Sequence, residues 1–126
     1  MTAILTLGIL GLVGLGLTGL GFVIAWQMDS TQGFHAIMNL FLIPLWLLSG
    51  AAFPAAGAHG WLQFGIAINP VTYGVAAVRR ALYAGQSPAL PGIPSFALSL
   101  AVTVLFAAVM LGVSGWVAGR RAAVAA

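Results

Sequence analysis

No charged side chain precedes Asp29, and the residues before it are almost all apolar or glycine. From about Ala3 to Trp26 this run matches the ~20 residues needed to cross a bilayer core of ~30 Å at 1.5 Å per residue. A cleavable signal peptide would carry basic residues ahead of a short apolar core, so the segment is read as a retained membrane helix. The rest of the chain continues in kind. Of its 126 residues 62% are hydrophobic and 4% charged, against roughly a quarter charged in an ordinary soluble domain. Such a chain cannot cover its surface with polar groups. Its solvent is therefore largely lipid, where the backbone must satisfy its own hydrogen bonds. A soluble fold is excluded, and the expected class is an all-α membrane protein forming a single membrane domain over residues 1–126.

Two further segments are read as membrane-crossing, from about Ala36 to Phe53 and from about Ser95 to Val117, giving three transmembrane helices in all. The second is the shortest and contains Pro44. Between the first two lies a polar loop, Gln27 to His35. The region from Pro54 to Pro94 is too broken to span and too apolar for a free loop, so it is expected to lie at the membrane surface or dip into it. Within it, Asn69 can cap a helix whose first position is Pro70, where the missing N–H is not needed, and Gly85 stops that helix. The result is an interfacial helical hairpin, with helices over about 61–68 and 70–84, ahead of the last span. Val71, Val75, Val78 and Leu82 fall on one stripe of the second of these, and Arg79 and Arg80 sit near its C-terminal end, where cations suit the helix dipole. Pro88, Pro91 and Pro94 stiffen the return to the last span.

Small residues mark expected packing faces, since close backbone approach drives helix association in lipid. They are Gly11, Gly14, Thr18, Gly21 and Ala25 in the first span, and Ala97, Ala101, Ala108, Gly112, Gly115 and Gly119 in the last. Gly14 to Gly19 also fits G-x-G-x-x-G. The dinucleotide fingerprint needs a preceding strand and a later acid, whereas this match lies inside an apolar helix, so it is read as packing.

Catalytic and metal chemistry find little support. With no cysteine there is no thiolate nucleophile or thiolate metal site,. Asp29, Ser30 and His35 supply the residue types of a hydrolytic triad, but a short turn offers no shielded site, and capping of a helix by Asp29 or Ser30 is the simpler reading. His59 lacks a second ligand, because His35 is placed across the membrane. No metal, cofactor or enzymatic activity is expected. The four arginines, two pairs against one acid, make no nucleic-acid footprint,.

Four positions bear on function. Asn39, inside the second span, is costly in lipid unless it faces protein or a water path, and serves either a helix–helix hydrogen bond or a substrate contact. Pro44 is either a hinge or a fixed bend. Arg79 and Arg80 have no acid available on their side, so they snorkel to headgroups or water, pair with another subunit, or recruit substrate. No G-x-x-x-x-G-K-[ST] occurs, so any ATP-driven role requires a separate ATPase.

The order Pro44-Leu45, Leu48-Ser49-Gly50, Phe53-Pro54, Trp61-Leu62, Asn69-Pro70-Val71-Thr72-Tyr73 and Ala77-Val78-Arg79 resembles the C-terminal half of ABC-2 type transporter permeases, of the daunorubicin and nodulation-factor exporter type. That resemblance implies the last three of six helices, with an extracellular hairpin before the final one, working with an ABC ATPase subunit and with further permease helices or a second permease subunit. It places the chain in the plasma membrane, with Gln27 to His35 and the C-terminus cytoplasmic, an orientation that arginine counting alone leaves tied. Asn39, Pro44, Asn69, Pro70, Tyr73, Arg79 and Arg80 become the candidate pathway or gate residues of an exporter. The alternative is a small non-transporting membrane protein or a degenerate permease fragment that associates with a full transporter. An intramembrane hydrolase using Ser30 and His35 is a third reading.

Overall fold

A computed structural model describes residues 1–52, 57–83 and 92–126. Within them five helices run in the order α1 (Thr2–Ala25), α2 (Thr31–Leu47), α3 (Trp61–Ile68), α4 (Pro70–Leu82) and α5 (Phe96–Ala125). No strand occurs among the described residues. Phe53-Pro54, the helix stop at Gly85, and Pro88 and Pro91 lie outside them.

Two helices, α1 and α5, are long and apolar enough to cross a membrane. Their surface supports the same conclusion. Ile4, Leu7, Leu15, Leu105, Leu111 and Trp116 are exposed, while the buried positions are small or polar: Ala76, Ala77, Ala81, Ala107, Thr6, Ser49, Asn69, Thr72, Ser99 and Thr103. Ile9 is the one large aliphatic side chain that is fully buried among the described residues. In water this distribution would be inside-out, but lipid solvates Leu as well as a protein core does, and tight backbone approach is what remains to hold helices together. Two buried hydroxyls are satisfied within their own helices, Thr6 Oγ1 donating to Thr2 O at 2.8 Å and Thr103 Oγ1 to Ser99 O at 2.8 Å, while Ser99 Oγ has no partner among the described residues.

α1 packs along α5, and α4 lies against both, whereas α2 meets α1 only sparsely. The α1–α5 contact is made by glycines other than those expected. A Cβ on Gly16 would fall 2.6 Å from the Phe106 ring, and one on Gly19 would fall 3.1 Å from the Met110 carbonyl carbon. Ser114 Oγ, 3.1 Å from Gly19 O and 2.7 Å from Met110 O, closes the same contact. By contrast Gly11, Gly14, Gly112, Gly115 and Gly119 have open space around them. The reason is geometric: α1 is apolar on every side, so periodicity cannot say which glycine row meets a neighbour. The packed row of α1 is Thr6, Ile9, Gly16 and Gly19, and that of α5 is Ser99, Thr103 and Ala107.

The second helix also differs from expectation. Ser30 caps it, accepting from Gly33 N at 3.3 Å, so the helix takes in Thr31 to His35, which the sequence reads as loop. It passes through Pro44 and ends at Leu47, where Ser49 Oγ turns back to Trp46 O at 2.6 Å and Gly50 adopts φ 79°. That positive φ is open to glycine at little cost and ends the helix. At 17 residues α2 is ~25 Å long, short of the ~30 Å hydrocarbon core.

Candidate functional site

The short α4 is where the chain's polar chemistry converges. Its buried residues are Thr72, Gly74, Ala76, Ala77 and Ala81, so the packed face is the small-residue face, and the Val71, Val75, Val78 and Leu82 stripe is only partly covered or exposed. Bulky valines would hold α1 away. Gly74 lets it in so closely that a Cβ there would sit 2.6 Å from Val13 Cγ2.

Asn69 begins the helix. Its Oδ1 accepts from Val71 N at 2.9 Å, and its Nδ2 donates to Leu45 O at 2.6 Å. Only one orientation of the amide satisfies both bonds, which fixes which end is nitrogen. The side chain is 4% exposed. One residue thus caps the start of α4 and occupies a carbonyl in the last turn of α2, a turn whose carbonyls have no partner within the helix.

The same face of α4 continues the contact. Thr72 Oγ1 donates to Leu48 O at 3.2 Å, and Arg79 Nη2 donates to Gly50 O at 2.8 Å. The arginine brings a positive charge to the negative end of the α2 dipole, a favourable placement. Arg80 points the other way, its Nε donating to Pro94 O at 2.6 Å and its Nη2 to Ile93 O at 2.8 Å, on the segment leading into α5. The expectation that headgroups, water or another subunit must serve these two arginines is therefore corrected. Backbone carbonyls of this chain serve both, because helix ends and turns expose acceptors that no count of acidic residues reveals.

Tyr73 locks the corner between the two short helices, its hydroxyl donating to Ala67 O at 2.7 Å. Pro70 stands at the first position of α4. A cavity of about 30 Å³ lies between the end of α2, α4 and the lead into α5, lined by Ser49, Gly50, Thr72, Ala76, Arg79 and Pro94 among others. That is room for a water or two and no larger guest.

Asn39 and Pro44 stand apart from this joint. Both are exposed on α2, a helix with no buried residue. The structure thus brings together Asn69, Pro70, Tyr73, Arg79 and Arg80, and leaves Asn39 and Pro44 on an outer face. No group of three or more metal-ligating side chains occurs among the described residues.

Residues 1–83 match the family model of the ABC-2 type transporter. The chain belongs to that family. The matched stretch covers α1 to α4 and ends at the C-cap of α4, so every residue of the joint on the α4 side lies inside it. ABC-2 membrane domains form a transporter family rather than a catalytic one, and its permeases normally work with an ABC ATPase partner. With the two apolar helices, this identifies a membrane protein of permease type. No curated protein and no solved structure matches the chain.

Sequence reasoning missed Thr72 and the carbonyls of Leu45, Leu48 and Gly50. A signal for Thr72 was present: it lies three residues after Asn69 and seven before Arg79, on one helical face. The acceptors left no signal, since any residue carries a carbonyl.

Proposed function

We propose that this chain is a permease component of an ATP-driven ABC-2 exporter in the plasma membrane, corresponding to the C-terminal half of a daunorubicin or nodulation-factor type permease. In this reading α1, α2 and α5 are three transmembrane helices, α2 crossing with the help of local bilayer thinning and the turn that follows it. The α3–α4 pair is the extracellular hairpin. An ABC ATPase supplies the energy, and further permease helices or a second permease subunit complete the pathway.

The observation that carries the mechanism is the two-sided bonding of α4. Asn69, Thr72 and Arg79 bind the end of α2, and Arg80 binds the lead into α5. A displacement of α2 relative to α5 has to be transmitted through, or break, these bonds. In an alternating-access cycle α4 then acts as the outer gate element, its position set by whether the α2 and α5 bonds are kept. Asn69, Pro70 and Tyr73 fix the gate's angle, and Arg79 and Arg80 tie it to the moving helices. Pro44 lies one residue before the acceptor Leu45, so bending there would move the carbonyl that Asn69 holds. Asn39, polar and exposed on an apolar helix, is assigned to the pathway or to a neighbouring permease helix.

The test is export by the assembled complex of this chain, its ATPase and the remaining permease helices. Asn69→Ala should reduce export while leaving ATPase binding intact. Export at the unmodified rate in both Asn69→Ala and Pro70→Ala would reduce the α3–α4 pair to a connector.

A further inference from the structure

The sparse contact between α1 and α2 leaves an open, mostly apolar cleft of about 500 Å³, lined by Leu17, Thr18, Phe22, Phe34, Met38 and Leu42 among others. It runs over the part of α1 from Leu17 to Ala25, about 12 Å along the helix axis. Gly21 forms its floor, a Cβ there standing 3.5 Å from Met38 Cε. One end opens beside the turn between α1 and α2. At that end Phe22 stacks with Trp26 at 5.0 Å between ring centroids.

Trp26 connects the cleft to the chain's other arginine pair. Arg121 lies with its guanidinium carbon 5.8 Å from the Trp26 ring centre, and Arg120 lies 4.7 Å over Trp116. Unlike Arg79 and Arg80, these two donate no hydrogen bond among the described residues. The indole nitrogen of Trp26 is buried, so it is the ring that bears on the arginine. A tryptophan paired with arginine at the end of an apolar helix is the arrangement that suits the headgroup level of a bilayer. The cleft, Phe22, Trp26 and Arg121 thus form one line of successive contacts, with Arg120 next to Arg121 in the chain.

We infer that this line binds one anionic glycerophospholipid. An acyl chain fills the α1–α2 cleft, and the phosphate sits at Arg121 and Arg120, at the Trp26 end of the cleft. The charge argues for an anionic lipid: Arg120 and Arg121 outnumber the single acid, Asp29, which lies in the turn three residues after Trp26 and makes no ion pair among the described residues. Guanidinium and phosphate match in geometry as well as charge. The inference does not depend on the export reading, because it concerns the lipid contact of the folded chain in either orientation.

The test uses the full chain in nanodiscs containing either phosphatidylglycerol or phosphatidylcholine that carries a photoreactive acyl chain, with labelled residues mapped by mass spectrometry. Phosphatidylglycerol should label Phe22, Phe34 and Met38 several-fold more than phosphatidylcholine. The double change Arg120→Gln and Arg121→Gln should bring it down to the phosphatidylcholine level, and Gly21→Leu should lower labelling by both lipids. Thr18→Leu, at an exposed position of the same cleft, should act like Gly21→Leu without touching the helix packing. Equal labelling by the two lipids in the unmodified chain would overturn the inference. So would labelling spread evenly over Leu7 and Leu10 of α1, or cleft labelling unchanged by both leucine variants.

Discussion

The side-chain nitrogen of Asn69 lies 2.6 Å from the carbonyl oxygen of Leu45, joining the first turn of one helix to the last turn of another 24 residues earlier in the chain. Because Asn69 Oδ1 also holds Val71 N, a single buried amide fixes both helix ends. The joint around α4, and with it the proposed gate, depends on this residue.

Asn69→Ala removes an N-cap, costing about 0.5–2 kcal/mol, together with a buried hydrogen bond whose net contribution is about 0.5–1.5 kcal/mol. Asn69→Asp keeps the cap but loses the donor to Leu45 and sets a carboxylate against a carbonyl. Hydrogen exchange should therefore show faster exchange at the start of α4 in the alanine variant, and in the aspartate variant loosening at the end of α2 with the start of α4 retained. Identical exchange patterns in the two variants would show that the amide does not serve both helices.

Gly19→Ala should destabilise the chain by roughly 1–3 kcal/mol, the range for overpacking, because the added methyl meets the backbone of Met110, at 3.1 and 3.2 Å, rather than a movable side-chain tip. Gly112→Ala, with nothing near it, should be neutral or slightly stabilising through helix propensity. Thermal unfolding in detergent distinguishes the two, and equal midpoints would contradict the packed row assigned to α1.

Arg80 grips two successive carbonyls through Nε and Nη2, a planar two-point contact that an ammonium group cannot reproduce. Arg80→Lys should thus lose roughly 1.5–3 kcal/mol, the worth of a hydrogen bond to a charged group, and should loosen the start of α5. Protection of the Ser99 amide, which bonds to Ser95 O, reports that loosening. Unchanged protection would mean that Arg80 does not hold this segment.

Cysteines at Ser30 and Gly92 should react with impermeant thiol reagents from opposite sides of the membrane. Between them the three-span reading places one crossing, by α2. Reaction of both from the same side would contradict that reading and the parallel packing of α1 and α5, in which Gly16 meets Phe106 and Trp26 meets Arg121.

What the sequence made legible was local. Asn69 ahead of Pro70 marks a helix start because cap and ring geometry act within three residues, and α4 begins at Pro70 with Asn69 as its cap. Ser30 was readable as a cap for the same reason, although it starts α2 earlier than the apolar run suggests. The partners of Arg79 and Arg80 were not legible, because the acceptors are backbone atoms 29 and 14 residues away. Nor was the choice of Gly16 and Gly19 over Gly11 and Gly14, since a helix apolar all round has no face to prefer until a neighbour is in place. The lining of the small cavity beside Arg79 depends on the same long-range packing.

Ala76 is 3% exposed and lines that cavity, between the end of α2 and the lead into α5. If α4 is the gate element of an ATP-driven permease, a cysteine at this position should open to solvent during turnover. The decisive measurement is the labelling rate of Ala76→Cys by a small impermeant thiol reagent in the complete exporter, with and without ATP. The account predicts faster labelling with ATP, and no change with ATP when the partner ATPase is catalytically inactive. The same rate with and without ATP, in a complex that is hydrolysing it, would contradict the coupling of α4 to the transport cycle.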